Sequence, residues 1–328
     1  MRSESLMRDE ASQLLNVLLD DATSEAQIAA LLIALKRKGE TVEELAGLAE
    51  GMRARAVRIN SKHRTFIDTA GTGSSSVKTF NVSTAAAFVI AGAGLPVAKH
   101  GNRAASSSCG SADVLSALGV NVSVDVSVSE TCLNEFGICF MFAPLYHSAT
   151  ARVAGVRRQL GVHTTFNLLG PLTNPAGAPR QVIGVWDRAL AEPIARTLAL
   201  LGTERAWVVH GADGLDEVTL ADSTFVAEAD KGELRTFEIK PEDFGLERSG
   251  LDNLRGCDAD GNAAIIREVL TGKRRDEART LVVINAAAAL HVGGTARNLS
   301  DGVRLAEESI DNGTAAEKLD RLIEITNE

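Results

Sequence analysis

The fold is decided by residues 65–101, which read TFIDTAGTGSSSVKTFNVSTAAAFVIAGAGLPVAKHG. The short apolar run TFID leads into the glycine turn GTG, and the longer apolar run STAAAFVIAGAG then has the length of a helix. Ser83 or Thr84 lies near the expected start of this helix, and Gly94 lies at its end. The run LPVAKHG predicts a second strand. A strand, a helix and a strand in this order are typical of a βαβ unit in a parallel sheet.

The same alternation continues downstream. SADVLSALG predicts a helix, VNVSVDV alternates like a strand, GICFMFAP predicts another strand, and a helix follows from about residue 148 to 160. The strands RQVIGVW and RAWVVHG flank the helix of ALAEPIARTLALLG, and STFVAEADKGELRTFEI predicts a hairpin that turns at residues 230–232. The last sixty residues are helical. We therefore expect an α/β domain whose central, mostly parallel sheet is flanked by helices.

The first sixty residues show no strand pattern and instead predict a small helical domain. Ser24 with Gln27 and Thr41 with Glu44 are two capping-box patterns. Each is followed by apolar residues at helical spacing, namely Ile28, Leu31, Leu32 and Leu35, and then Leu45, Leu48 and Met52. We expect this domain to span residues 1–63, joined by helices from about 149–176. The α/β domain then comprises residues 64–148 and 177–328.

Bulk composition limits the functional class. The 328 residues suggest about two domains, and the 45% hydrophobic and 23% charged content is that of a globular protein. The net charge of −9 argues against binding to a nucleic-acid backbone. The four cysteines have neither CxxC nor zinc-site spacing, which indicates reduced thiols and a cytoplasmic protein. We expect no signal peptide and no membrane segment.

Three polar segments interrupt the pattern, and each follows a predicted strand. GTGSSSVKTFNVST (71–84) precedes a helix and could bind an anion, although ordinary Gly-Ser turns look similar. KHGNRAASSSCGS (99–111) carries positive charge and several hydrogen-bonding side chains, which suit a phosphate site but also occur in solvated polar loops. HGADGLDEVTL (210–220) contains the carboxylates Asp216 and Glu217, which suit Mg²⁺ but also occur as surface acids. Together the segments indicate a diphosphate substrate bridged to the protein by Mg²⁺.

Four motifs carry a resemblance to a known family. KHGNRAASS, NVSTAAAF, FNLLGPLTNPAG and HGADGLDE occur in segments that closely resemble anthranilate phosphoribosyltransferases, and IAALLIALKRKGETVEELAG resembles that family's N-terminal helical domain. The resemblance extends from about residue 7 to the end. It implies a homodimer formed through the helical domain, with an active site between the two domains. The implied substrates are anthranilate and 5-phosphoribosyl 1-diphosphate with Mg²⁺, and the implied products are N-(5-phosphoribosyl)anthranilate and diphosphate, in tryptophan biosynthesis.

The resemblance also implies the site residues. The expected catalytic residues are Lys99, Asn102 and Arg157. The phosphoribosyl diphosphate is expected to contact Gly71, Gly73, Ser74, Ser75, Thr79, Asn81, Ser83, Thr84, Lys99, Ser107 and Ser111. Anthranilate is expected to contact Gly71, Asn102, His147 and Arg157, and Mg²⁺ to be held by Ser83, Asp216 and Glu217.

The chain departs from the family pattern in two places. The family usually has GTGGDG at the first loop, whereas this chain has GTGSSS, so Ser74 and Ser75 replace Gly and Asp. We also expect the chain to lack most of the family's first helix, which would either weaken the dimer contact or reflect a misplaced start codon.

Two other functions stay open at this point. A pyrimidine nucleoside phosphorylase resembles this family in fold and anion loops, but the GPLTNPAG segment with Arg157 and Asn102 favours an aromatic carboxylate acceptor. A non-catalytic, nucleic-acid-binding relative would fit the altered loop. The Asp216–Glu217 pair, the KHGN segment and the net charge argue against that alternative.

Overall fold

A computed structural model of the chain describes residues 4–73, 77–104, 109–251 and 254–328. Ser74, Ser75 and Ser107 therefore lie outside the described residues. The strands are β1 (Ile67–Gly71), β2 (Val97–Gly101), β3 (Ile138–Phe142), β4 (Arg180–Gly184), β5 (Arg205–Gly211), β6 (Thr224–Asp230) and β7 (Glu233–Ile239). The helices are α1 (Arg8–Leu19), α2 (Glu25–Lys38), α3 (Val42–Arg55), α4 (Val82–Gly92), α5 (Ser111–Ala117), α6 (Val126–Thr131), α7 (Ala143–Tyr146), α8 (Ala151–Leu160), α9 (Thr165–Leu172), α10 (Ala191–Leu200), α11 (Ala259–Leu270), α12 (Glu277–Val292), α13 (Leu299–Asp311) and α14 (Thr314–Asn327).

The N-terminal helices begin where local capping predicts. Ser24 caps α2 and Thr41 caps α3, and both capping boxes are formed. Each hydroxyl accepts a hydrogen bond from a backbone N–H that the first helical turn would otherwise leave unpaired. Helices α8 and α9 pack against α2 and α3, so residues far apart in sequence form one helical bundle. The domain boundaries at 63/64, 148/149 and 176/177 remain our prediction.

The seven strands form one sheet in the order β3-β2-β1-β4-β5-β6-β7. The first five are parallel, with Ile67 paired to Val97 on one side and to Arg180 on the other. Strands β6 and β7 are antiparallel and form the predicted hairpin, in which Lys231 and Gly232 both have positive φ. The predicted α/β architecture with a mostly parallel sheet is therefore confirmed. Its carboxyl edge brings the segments after β1, β2 and β5 together.

Apolar helices cover both faces of the sheet. One buried cluster joins α4, α12 and the C-terminal helices to the strands, and a second joins the helical bundle and α10 to the other face. In the described part of the chain, no helix is both long and apolar enough to cross a membrane. All four cysteines are free, as their spacing predicts.

The strand predicted for VNVSVDV was wrong. Residues 120–125 form an irregular connection with a turn at residues 122–123, and α6 begins directly after Asp125. The backbone N–H of Val120 donates to the Leu115 carbonyl, and that of Asn121 donates to the hydroxyl of Thr326 on α14. Because helix ends take up these backbone groups, the alternating side chains do not add a strand at the β3 edge.

A buried carboxylate organises the antiparallel side of the sheet. Glu228 on β6 is fully buried and accepts hydrogen bonds from Arg205, Arg235 and the Trp207 indole. Burial raises the pKa of Glu228, but these donors outweigh that effect and hold the pKa below its usual value. The carboxylate thus stays charged in the folded protein.

Candidate active site

One cavity lies at the carboxyl edge of the parallel strands, between the sheet and the helical bundle. Its volume of about 370 Å³ is in the range of small-molecule sites, about 300–1,000 Å³. It collects predicted site residues from segments distant in sequence. The described ones on its wall are Gly71, Gly73, Thr79, Asn81, Ser83, Thr84, Lys99, Asn102, Ser111, Arg157, Asp216 and Glu217.

Glycines let the third polar segment approach the sheet edge. A Cβ atom on Gly184 would lie 1.6 Å from the Asp216 carbonyl oxygen, and one on Gly71 would lie 3.5 Å from its Oδ2. The N–H of Thr72 donates to the Gly184 carbonyl oxygen at 2.9 Å, which ties the first loop to the same point. Sequence reasoning missed Gly184. Only the pairing of β4 with β1 reveals why a side chain is excluded there.

The start of α4 lies on the cavity wall. Asn81 precedes the helix, and its amide group is held by Asn262 at 3.0 Å and donates to the Cys109 carbonyl at 3.3 Å. Thr84 is 1% exposed, yet its hydroxyl has no hydrogen-bond partner among the described residues. The Thr84 and Ala85 N–H groups donate to the Asn81 carbonyl and the Ser83 N–H donates to Glu217, so the helix dipole and the orphaned hydroxyl are what favour an anion here.

Lys99 is buried beneath this helix start and is 4% exposed. Its Nζ donates to the Thr69 carbonyl and lies 3.4 Å from the Ser83 hydroxyl. Burial lowers the pKa of Lys99, while Asp68 and Glu217 favour its charged form. The predicted lysine thus links the first loop to the acidic pair.

Asp216 and Glu217 are half-buried neighbours on the cavity wall. Desolvation and the Asp216 charge raise the pKa of Glu217 to about 8, against the opposing effect of Lys99. Glu217 also accepts a hydrogen bond from the Ser83 N–H, and two adjacent carboxylates on one wall are what a divalent cation would stabilise.

Asp68 is a further charged residue that sequence reasoning missed. It is fully buried in β1, and it accepts hydrogen bonds from Asn174 Nδ2 at 2.7 Å and from the His100 N–H at 3.2 Å. Burial raises the pKa of Asp68 to about 6, although Lys99 opposes the shift. An aspartate inside the apolar run TFID was the available signal, since charged residues are rarely fully buried without a partner.

The second polar segment folds back on itself. The Asn102 side chain accepts from the Arg103 N–H at 2.8 Å, and the Ser111 hydroxyl donates to the Asn102 carbonyl at 3.3 Å. Arg103 is paired with Asp113 at 2.9 Å. Asn102 itself is exposed at the cavity, while the charge of Arg103 is already compensated.

Arg157 stands on the wall that the helical bundle contributes. Its guanidinium lies 5.8 Å from the centre of the Phe166 ring, and Nη2 donates to Asn167 Oδ1 at 3.1 Å. The same Asn167 oxygen accepts from the Thr164 N–H at the start of α9. Asn167 was not among the predicted site residues, and its hydrogen bond fixes the direction in which the Arg157 guanidinium points.

His147 lies outside the described wall of this cavity. It is buried, its Nε2 is 3.1 Å from the Thr173 carbonyl oxygen, and its ring lies 5.2 Å from that of His100, which does line the cavity. Burial lowers the pKa of His147. Its contact with anthranilate stays a prediction.

Two protein-family models match the chain. Residues 1–56 match the glycosyl transferase family, helical bundle domain, and residues 63–316 match the glycosyl transferase family, a/b domain. Among curated proteins, the anthranilate phosphoribosyltransferase of Persephonella marina is 49% identical, over 98% of this chain and 95% of its own length. That of Moorella thermoacetica is 50% identical, over 98% and 94%. The chain belongs to the anthranilate phosphoribosyltransferase family.

Solved structures of this family agree in fold. The anthranilate phosphoribosyltransferase of Thermus thermophilus superposes with a TM-score of 0.94 at 39% identity, covering 99% of this chain and 97% of that one. The enzyme of Saccharomyces cerevisiae, in complex with PRPP and Mg, has a TM-score of 0.86 at 29% identity, covering 98% and 92%. The same yeast enzyme has been solved with 4-fluoroanthranilate.

Proposed function

We propose that this chain transfers the 5-phosphoribosyl group of 5-phosphoribosyl 1-diphosphate to the amine of anthranilate, releasing diphosphate, in tryptophan biosynthesis. The observation that carries the proposal is the two-sided cavity. Anion donors and Lys99 face an acidic pair on the sheet side, and Arg157 stands on the bundle side. Two curated relatives, 49% and 50% identical over 98% of this chain, are named for this activity.

The sheet side would bind the diphosphate. The orphaned Thr84 hydroxyl, Ser83 and the backbone around Gly71 and Gly73 offer hydrogen bonds, and Lys99 offers a charge. The same surface includes Thr79, Asn81 and Ser111. Ser74, Ser75 and Ser107 keep their assignment to this substrate as predictions.

Magnesium fits the donor set at this edge. Asp216 and Glu217, with the Ser83 hydroxyl, are hard oxygen ligands, and the raised pKa of Glu217 reflects charge that a cation would neutralise. The described residues contain no group of three or more His, Cys, Asp or Glu side chains arranged around one metal position. Substrate phosphate oxygens would then complete the coordination, as is usual for Mg²⁺. When bound, the ion supplies positive charge to the leaving diphosphate.

The reaction needs positioning more than proton transfer. The bond between the ribose anomeric carbon and diphosphate breaks as charge builds on the sugar, and the anthranilate nitrogen forms the new bond. Lys99 stabilises the departing charge, Asn102 contacts both substrates, and Arg157 pairs with the anthranilate carboxylate. The nitrogen then loses its proton to water, because the buried His147 bonds a carbonyl instead.

A fluorescence assay tests this function directly. With 5-phosphoribosyl 1-diphosphate and Mg²⁺ present, anthranilate fluorescence should fall as the substrate is consumed. Phosphate-dependent cleavage of uridine or thymidine, without anthranilate turnover, would favour the nucleoside phosphorylase. Binding of single-stranded DNA at two salt concentrations, without either activity, would favour the non-catalytic relative.

The metal assignment has its own test. The Asp216→Ala/Glu217→Ala variant should lose Mg²⁺-dependent turnover while keeping its fold, because both residues lie in a loop. The matched control is Glu233→Ala/Glu247→Ala, which removes two exposed carboxylates away from the cavity. Near-normal turnover of the first variant at saturating Mg²⁺ would contradict the assignment.

We further propose a cytoplasmic homodimer that associates through the helical bundle. Met7, just before α1, is 72% exposed, and Val17, on α1, is 51% exposed. Leu200 on α10 is 41% exposed, and its carbonyl accepts from Arg8 at the start of α1 at 3.3 Å. Exposed apolar residues of this kind favour a protein partner when they are grouped. Light scattering should give twice the chain mass, and Val17→Asp should shift it to the monomer mass.

A further inference from the structure

A second cavity lies at the opposite edge of the sheet from the candidate active site. Its volume is about 490 Å³, and it is lined by the segment before β1 and by residues 174–177 and 179 before β4. Because β1 and β4 are parallel neighbours, both segments meet at the amino edge. The five residues of β1 separate this edge from the carboxyl edge by roughly 16 Å, at about 3.3 Å per residue.

Three guanidinium groups line this cavity, and none of its described lining residues is acidic. Arg53 is anchored, with Nε donating to the Leu172 carbonyl at 2.7 Å and Nη1 to the Leu201 carbonyl at 3.2 Å. Arg58 and Arg64 are exposed, and neither has an ion-pair or hydrogen-bond partner among the described residues.

The local charge is positive and poorly compensated. Burial and the Arg58 charge together lower the pKa of Arg53 to about 10, and only Glu50 opposes the shift. Glu50 is already paired with Arg8. An anion with several oxygens would relieve this repulsion and accept from the guanidinium donors.

Polar side chains complete the surface. Asn60 and Ser61 lie in the segment that joins α3 to β1, and Asn174 lies in the loop between α9 and β4. Asn174 also donates to Asp68 and to the Ala98 carbonyl at 2.8 Å. A ligand here would therefore touch both connections between the helical bundle and the sheet. It would also touch Asn174, which donates to Asp68, the carboxylate that favours the charged form of Lys99.

We propose that this cavity is a binding site for a small phosphate-bearing anion, held by Arg58 and Arg64 with Arg53 at its base. The volume exceeds that of one phosphate group, so a phosphate with a short polar carbon chain fits the class. The site is separate from the substrate cavity, because the two lining sets share no described residue.

Calorimetric titration with two probes tests the proposal. Inorganic phosphate and glycerol 3-phosphate are titrated into the parent protein and into the Arg58→Ala/Arg64→Ala variant. Both arginines are exposed, so the fold should be kept, which circular dichroism checks. The matched control, Arg37→Ala/Lys273→Ala, removes the same two charges from exposed positions outside the cavity.

We expect the first variant to bind at least tenfold more weakly than the parent, and the control to match the parent. Phosphate binding in the substrate cavity is common to all three proteins and cancels in the comparison. Arg58→Lys/Arg64→Lys, which keeps the charge but loses the planar fork, should fall between parent and alanine variant. Tighter binding of glycerol 3-phosphate than of inorganic phosphate identifies an organic phosphate as the ligand, and the reverse identifies the free anion. Superimposable titrations of parent, alanine variant and control would overturn the proposal.

Discussion

The guanidinium of Arg157 offers the sharpest test of how the acceptor is bound. It lies half-buried on the bundle side of the cavity, where Asn167 Oδ1 accepts one of its hydrogens at 3.1 Å. An arginine has five N–H donors in a planar fork, so four remain. Two of these suffice for a carboxylate in the bidentate arrangement.

The size of the effect follows from this geometry. A hydrogen bond to a charged group contributes about 1.5–3 kcal/mol, and each 1.4 kcal/mol corresponds to about tenfold in affinity. Arg157→Ala should therefore raise the KM for anthranilate roughly tenfold to a hundredfold. The KM for 5-phosphoribosyl 1-diphosphate should change little, because that substrate is assigned to the sheet side.

Steady-state kinetics by anthranilate fluorescence measures both constants. Arg158→Ala is the matched control, because Arg158 is the next residue on α8 but is exposed and outside the cavity wall. Asn167→Ala leaves the guanidinium in place but unanchored, so its anthranilate KM should rise less than that of Arg157→Ala. Loss of the Asn167 contact at the start of α9 should also cost about 1 kcal/mol of stability.

Two results would refute this reasoning. An anthranilate KM within twofold of the parent in Arg157→Ala, at about the precision of such constants, would show that the guanidinium faces elsewhere. An equal rise in Arg158→Ala would show that general charge, rather than the bidentate contact, attracts the acceptor.

Three further predictions concern the loop, the sheet edge and the buried glutamate. Ser74→Gly/Ser75→Asp should change the KM for 5-phosphoribosyl 1-diphosphate by less than about tenfold, since one exposed like charge is screened by salt, with the anthranilate KM nearly unmoved. Gly184→Ala should lower kcat/KM roughly 10²-fold, because its Cβ would displace the Asp216 backbone, and kinetics with Mg²⁺ would measure it. Glu228→Gln should lower the free energy of unfolding by about 3–5 kcal/mol at pH 7, measured by urea denaturation. Because the folded-state pKa of Glu228 is lowered, its stabilisation is lost as pH falls, so this difference should shrink below about pH 4.3.

Each of these has a control or a contrary outcome. Gly155→Ala, where a Cβ on α8 would meet nothing within 4 Å, should keep full activity. Parent-like turnover of Gly184→Ala would mean that the acidic loop is free to move. An inactive parent that Ser74→Gly/Ser75→Asp restores would mark a decayed loop and favour the binding protein. A stability difference for Glu228→Gln that stays constant to pH 3 would show that its charge contributes nothing.

The sequence alone determined the features that depend on neighbouring residues. The capping boxes at Ser24 and Thr41, the hairpin turn at Lys231–Gly232 and the strand–helix alternation of residues 65–101 all formed as predicted. Each rests on hydrogen bonds or steric limits within a few residues, which the order of amino acids specifies directly. The family could also be identified from the sequence alone, because motifs several residues long carry the resemblance.

Tertiary structure decided what depends on residues far apart. The alternation of VNVSVDV predicted a strand, but Asn121 bonds Thr326 some two hundred positions away, and no local pattern shows that. The close approach of Asp216 to Gly184 and the burial of Asp68 within electrostatic reach of Lys99 arise from the order of the parallel strands. Parallel pairing joins segments through long crossovers, so which side chains meet at the sheet edge is set by packing of the whole domain and not by the local sequence.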